Sequence, residues 1–135
     1  MIGRIIKPVY AHCDIPCGIY ETDTMRHAAE TCVRMVEKIE ALGALDTIEK
    51  MNNFTRMVAI KEQHAQRAKQ EMYVLWSDYF KPEHVVQFPD LHTTFWQATK
   101  QTSVVKQSVS KDACEDLLEY VNKIQTIFEQ SKTHV

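Results

Sequence analysis

A chain of 135 residues, 44% hydrophobic and 25% charged, is long enough for one domain with a self-sufficient core. Its formal net charge of -2, with acidic and basic residues mixed along the chain, leaves no basic footprint for nucleic acid. No stretch approaches the roughly 20 apolar residues of a membrane span, and three glycines and four prolines are too few turn residues for a many-stranded β fold. Long helices are therefore expected, with neither nucleic acid nor membrane as a partner.

Residues 1–11, MIGRIIKPVYA, carry basic residues and a small apolar patch, Ile5-Ile6. A secretory h-region needs about 7–15 apolar residues, and Lys7 and Pro8 interrupt this one. The segment reads as a short leader or pro-segment removed on maturation, and the expected compartment is the cytoplasm.

Residues 12–20 read His12-Cys13-Asp14-Ile15-Pro16-Cys17-Gly18-Ile19-Tyr20. Two thiols and an imidazole lie close together, and Pro16 and Gly18 favour a turn that brings both sulfurs to one point. Cys-x3-Cys with one His supplies three side-chain donors, one short of a structural zinc site. It is also not the CxxC of a dithiol redox motif. The other two cysteines, Cys32 and Cys114, sit alone on helical stripes and read as core residues. The backbone can fill the deficit. A cut before His12 would free an α-amine beside the Cys13 amide nitrogen, and two nitrogens with two thiolates form a planar set suited to nickel(II) or copper(II).

From Thr24 onward the apolar spacing is helical. A first stripe runs Met25, Ala29, Cys32, Val36, Ile39, Leu42, opened by Thr22, Asp23 or Thr24 and closed by Gly43. A second helix is expected to open at Asp46, with Glu49 as its capping-box partner. Its stripe runs Ile48, Met51, Phe54, Val58, then Ala65, Ala68, Met72, Leu75, Tyr79, and Lys81-Pro82 stops it. That pattern spans roughly 50 Å at the usual rise, so a bend is expected near Asn52-Asn53. Residues 82–88 form a connector with one helical turn. Pro89 suits the first turn of a third helix with the stripe Leu91, Phe95, Ala98, Thr102, Val105, Val109. Ser110 caps a fourth helix with the stripe Cys114, Leu117, Val121, Ile124, Phe128. Short connections between long helices predict an all-α, antiparallel, up-down-up-down four-helix bundle over residues 21–135, preceded by an irregular N-terminal metal-binding hook at 12–20.

HCDIPCGIY closely resembles the nickel hook of the nickel-dependent superoxide dismutase family, whose typical mature start is HCDLPCGVY; seven of the nine residues match. The stretches Ile60-Lys61-Glu62-Gln63 and Val74-Leu75-Trp76-Ser77-Asp78-Tyr79-Phe80-Lys81-Pro82 resemble the family's second helix and its end, with weaker echoes at Pro89-Asp90-Leu91-His92 and Ile127-Phe128. The resemblance implies a precursor whose maturation protease exposes His12. Nickel is then held by that amine, the Cys13 amide nitrogen and the thiolates of Cys13 and Cys17, with the His12 imidazole joining in the oxidised state. It implies a homohexamer, superoxide as substrate, and Tyr20 and Tyr79 as the tyrosines that screen the metal. Asp14 and Pro16 match residues that shape the hook. Family members carry a glutamate and an arginine behind the metal-binding histidine, at positions matched here by Ala28 and His64. His64 keeps a hydrogen-bonding side chain; Ala28 does not.

The implied function is an oxidoreductase that converts superoxide to hydrogen peroxide and dioxygen through a Ni(II)/Ni(III) couple. Two other classes compete with it. One is a nickel or copper handling protein that binds and delivers metal without turnover. The other is a helical interaction module whose cysteines form a redox disulfide.

Overall fold

The computed structural model describes residues 18–132, and every regular element among them is helical. Helix α1 (Asp23–Ala41) buries Met25, Ala29, Cys32, Val36 and Ile39, as its spacing predicts. Its start is capped indirectly. Thr22 holds the N-cap position without a capping bond; its hydroxyl accepts from Gln125 Nε2 at 3.0 Å. The Glu21 carboxylate takes the Thr24 N–H instead, at 2.9 Å. Gly43, at φ +62°, closes the helix in the left-handed region that favours glycine.

Helix α2 (Ile48–Val74) is capped by Thr47, whose hydroxyl accepts the Lys50 N–H at 3.1 Å. The expected Asp46 cap is not formed; Asp46 pairs with the Lys50 ammonium at 3.0 Å. Both residues suit a cap, and the chain enters the helix one residue later than the capping-box spacing suggests. α2 runs through Asn52-Asn53 as one unbroken helix. The irregularity lies at its far end, where Leu75–Tyr79 form a π turn closed by the Phe80 N–H on Leu75 O at 3.3 Å. The wider turn holds an extra residue, so side chains beyond it move around the helix axis relative to a continuous α pattern.

The connector contains a true short helix, α3 (Pro82–Gln87), with Pro82 in its first turn and no buried residue. The described residues thus form five α-helices, of which four are long. Helix α4 (Leu91–Gln107) starts after Asp90, so Pro89 lies in the preceding turn rather than in the helix. Leu91, Phe95, Ala98, Thr102 and Val105 are buried as expected, but Val109 falls beyond the helix end and is 45% exposed. Helix α5 (Lys111–Ser131) is capped by the Ser110 hydroxyl, which accepts the Ala113 N–H at 3.1 Å, and buries its whole predicted stripe.

α1 packs against α2 and α5, and α4 against α2 and α5, which closes a four-membered ring of antiparallel neighbours around one core. Alanines 65, 68 and 98 are fully buried along it and let the axes approach. One charged side chain enters this core. Lys61 is 1% exposed and gives its three ammonium protons to the carbonyls of Val105, Lys106 and Ser108 at 2.5, 3.1 and 2.6 Å. These acceptors are orphan carbonyls at the C-terminal end of α4, where a cation also meets the helix dipole. Since Lys61 marks the level at which α4 ends, the part of α2 before it projects beyond that end by ~20 Å. Ile48 and Met51, expected in the core, are therefore 86% and 50% exposed. No described helix is long and apolar enough to cross a membrane.

Candidate metal centre

His12, Cys13, Asp14, Pro16 and Cys17, like the leader at 1–11, lie outside the described residues. Their exit into the bundle is described. Gly18 follows Cys17 at φ +95°, a left-handed conformation that a side chain would strain. Two residues later Tyr20 is buried, its ring centroid 5.5 Å from that of Tyr79 and tilted by 56°. The two tyrosines, fifty-nine positions apart in sequence, meet where α1 begins and α2 and α5 end. Tyr79 also meets Phe80 and Phe128 edge-on, both at 4.9 Å, and stacks on His84 at 5.6 Å with planes 10° apart. The His84 ring is held in turn, because its Nδ1 accepts the Lys81 N–H at 3.0 Å. The Tyr79 hydroxyl lies 2.7 Å from Ser131 Oγ.

Cys32 and Cys114 are buried free thiols. Burial pushes Cys32 up to about 12, with Cys114 adding repulsion and Lys61 opposing it. Burial likewise pushes Cys114 up to about 11 against the pull of Lys61. Both remain neutral thiols at physiological pH and are poor metal donors. Among the described residues no group of three or more His, Cys, Asp or Glu could hold a metal ion. The donor set His12, Cys13 and Cys17 with adjacent backbone nitrogens fits nickel by its chemistry.

The family model described as nickel-containing superoxide dismutase matches residues 7–132. The chain belongs to this family. It is 38% identical to the nickel superoxide dismutases of Streptomyces seoulensis and Streptomyces coelicolor, over 98% of this chain and 98% of each relative. A solved nickel superoxide dismutase in its oxidised state superposes with a TM-score of 0.80 at 38% identity, covering 90% of this chain and 99% of that one. A native form superposes with a TM-score of 0.79 at the same identity and coverage. Family membership brings with it nickel as cofactor and oxidoreductase chemistry.

Within the family frame, Ala28 and His64 face one cavity of about 170 Å³, lined also by Thr24, His27, Thr31 and Arg67. His64 is half-buried, and its Nδ1 donates to Ile60 O at 2.9 Å, which leaves Nε2 free to accept in the neutral ring. The structure does not bring His64 to the tyrosine pair. Along α2 it sits roughly four turns, or about 20 Å, before Tyr79. Sequence reasoning missed Ser131 and His84. Ser131 had a signal, because it continues the stripe Ile124, Phe128 as a buried polar residue. His84 had none, since its stacking depends on how α3 folds back.

Proposed function

We propose that this chain dismutes superoxide to hydrogen peroxide and dioxygen at a nickel centre formed by residues 12–20 once residues 1–11 have been removed. The freed His12 amine, the Cys13 amide nitrogen and the Cys13 and Cys17 thiolates would hold the metal, with the His12 imidazole as a further donor. Nickel, when bound, supplies the one-electron couple between its divalent and trivalent states. The observation that carries the reading is the clasp formed by Tyr20 on Tyr79. Cys17 is three residues from Tyr20, so the covalent chain keeps its Cα within about 11 Å of the Tyr20 Cα. The rings would stand as a wall between the donors and bulk water.

Processing before His12 is supported by the likeness of residues 12–20 to the family's mature start. Asp14 and Pro16 would shape the hook, a cis bond at Pro16 being compatible with a tight turn. His64 would stand in the place of the family's arginine. A homohexamer is supported by the apolar surface that a lone chain leaves in water: Ile48 at the projecting end, Val86 on α3, and Trp96 beside the α2–α4 groove. The compartment of action is the cytoplasm.

Superoxide decay measured with nickel on three forms tests this reading: full-length, cut before His12, and cut one residue early. Only the second should be fully active, because only there is the His12 nitrogen an amine. Equal activity in all three would remove the amine from the ligand set. Tight nickel binding without turnover would instead favour a delivery protein, and a stable Cys13–Cys17 disulfide without metal affinity a redox module.

A further inference from the structure

We propose that Ser131, in the last turn of α5, is a positioning residue that fixes which way the Tyr79 hydroxyl points its proton. Ser131 is 3% exposed, and its Oγ donates to Phe128 O at 2.6 Å. A carbonyl cannot donate, so the single serine proton is committed to that bond. The 2.7 Å contact between Ser131 Oγ and the Tyr79 hydroxyl is therefore one in which the tyrosine donates and the serine accepts. The chain of bonds runs in one direction, from Tyr79 through Ser131 to the backbone of α5.

The consequence is chemical. A phenol has one proton and two acceptor lone pairs. With its proton held by Ser131, Tyr79 turns only acceptor capacity toward the end of the chain that emerges at Gly18 and Tyr20. It can receive a hydrogen bond from a water, from a protonated hook group or from a hydroperoxide, and it does not hand over its own proton while Ser131 is in place. The ring cannot swing to escape this, because Phe128, Phe80 and His84 hold its faces and edge. α5 thereby sets the polarity of a tyrosine that α2 carries. This inference rests on the functional reading above for the role of Tyr79, but the bond direction stands on geometry alone.

Two measurements test it. In the full-length protein without metal, the Raman Fermi doublet of tyrosine reports whether a phenol gives or receives its hydrogen bond, and the difference against Tyr79→Phe isolates this residue. Tyr79 should show the signature of a strong donor, Ser131→Ala should abolish it, and Ser131→Thr, which keeps a hydroxyl, should restore it. In the processed, nickel-loaded protein, Ser131→Ala should lower kcat/KM by about threefold to tenfold, the usual worth of one such bond, and alter its pH profile. Ser131→Thr should recover most of the rate. In a Tyr79→Phe background Ser131→Ala should have no further effect on rate, since the two act as one unit. A persisting loss there would mean that Ser131 merely props the helix end, and would overturn the proposal. So would an unchanged doublet, or an active enzyme indifferent to Ser131→Ala. A processed protein that binds nickel but leaves superoxide untouched would overturn the functional reading and the catalytic part of this proposal together, while the doublet still judges the bond itself.

Discussion

Lys61 brings its ammonium into an alanine-rich core with three carbonyls and, among the described residues, no paired carboxylate around it. Two effects oppose each other there. Desolvating the cation costs several kcal/mol, while each charge-assisted bond returns about 1.5–3 kcal/mol. Lys61→Met removes the cation and leaves the C-terminal end of α4 without donors. The expected net loss is on the order of 2–4 kcal/mol in urea unfolding; a loss below 0.5 kcal/mol would mean that water replaces the ammonium there. The neighbouring thiols make a second prediction. Their folded-state values, about 12 for Cys32 and about 11 for Cys114, lie above the ordinary 9.0. Between those values the unfolded chain releases thiol protons that the folded chain retains, so stability falls as pH rises from about 9 toward 12 and is unaffected below. Replacing both by Ala should flatten that alkaline decline. In native protein at pH 8, iodoacetamide should leave Cys32 and Cys114 untouched until the chain is unfolded.

At the level of elements, the starts of α2 and α5 depend on short side chains that reach back to orphan amides. Ser110→Ala should cost about 1 kcal/mol, and Thr47→Ala a similar amount. Asp46→Ala should cost distinctly less, because it removes an exposed i,i+4 pair worth roughly 0.3–0.5 kcal/mol. Thermal unfolding of the three variants orders them; Asp46→Ala as the most damaging would restore the capping-box expectation. The π turn has a separate role. It spaces Trp76 outward and Tyr79 inward at the end of α2, where Tyr79 meets Tyr20, Phe128 and Ser131. Deleting Ser77 would take out the extra residue, turn the Phe80 to Leu75 bond into an ordinary α bond and leave Tyr79 on this cluster. The bundle should survive, and activity of the processed protein should stay close to that of the parent, well above that of Ser131→Ala.

For the whole molecule, the distribution of apolar surface decides the prediction. Ile48 and Met51 stand on the length of α2 that reaches past α4, and Trp96 is 62% exposed beside Tyr73 and Trp76 along a groove of about 360 Å³ between α2 and α4. Lys69 and Lys100 lie over the Tyr73 and Trp96 rings at 6.0 and 5.7 Å and cover them only partly. Large exposed aromatics at this density mark contact surfaces rather than solvated ones. Met51→Glu and Trp96→Glu should each shift the light-scattering mass of the processed, nickel-loaded protein from the proposed hexamer toward smaller species, with the helical circular dichroism retained. An unchanged mass for both would place the subunit contacts elsewhere.

The helical class, the four long stripes, the Gly43 and Ser110 boundaries and the family were legible in the chain alone, because periodicity, caps and a nine-residue motif are local properties. The donors proposed for the hook could be named for the same reason: His12, Cys13 and Cys17 lie within six residues, and donor identity does not wait for folding. Tertiary structure decided the rest. The apolar spacing of α2 continues through Ile48 and Met51, and only the level at which α4 stops shows that they have nothing to pack on. The same stripe skips from Val58 to Ala65 across Lys61, a gap that reads as polar until the end of α4 is brought over it. Tyr20 and Tyr79 were each visible as ring-bearing positions. That Tyr79 gives its proton to Ser131, from the last turn of another helix, depends on an angle and a distance between elements that no spacing within one of them contains.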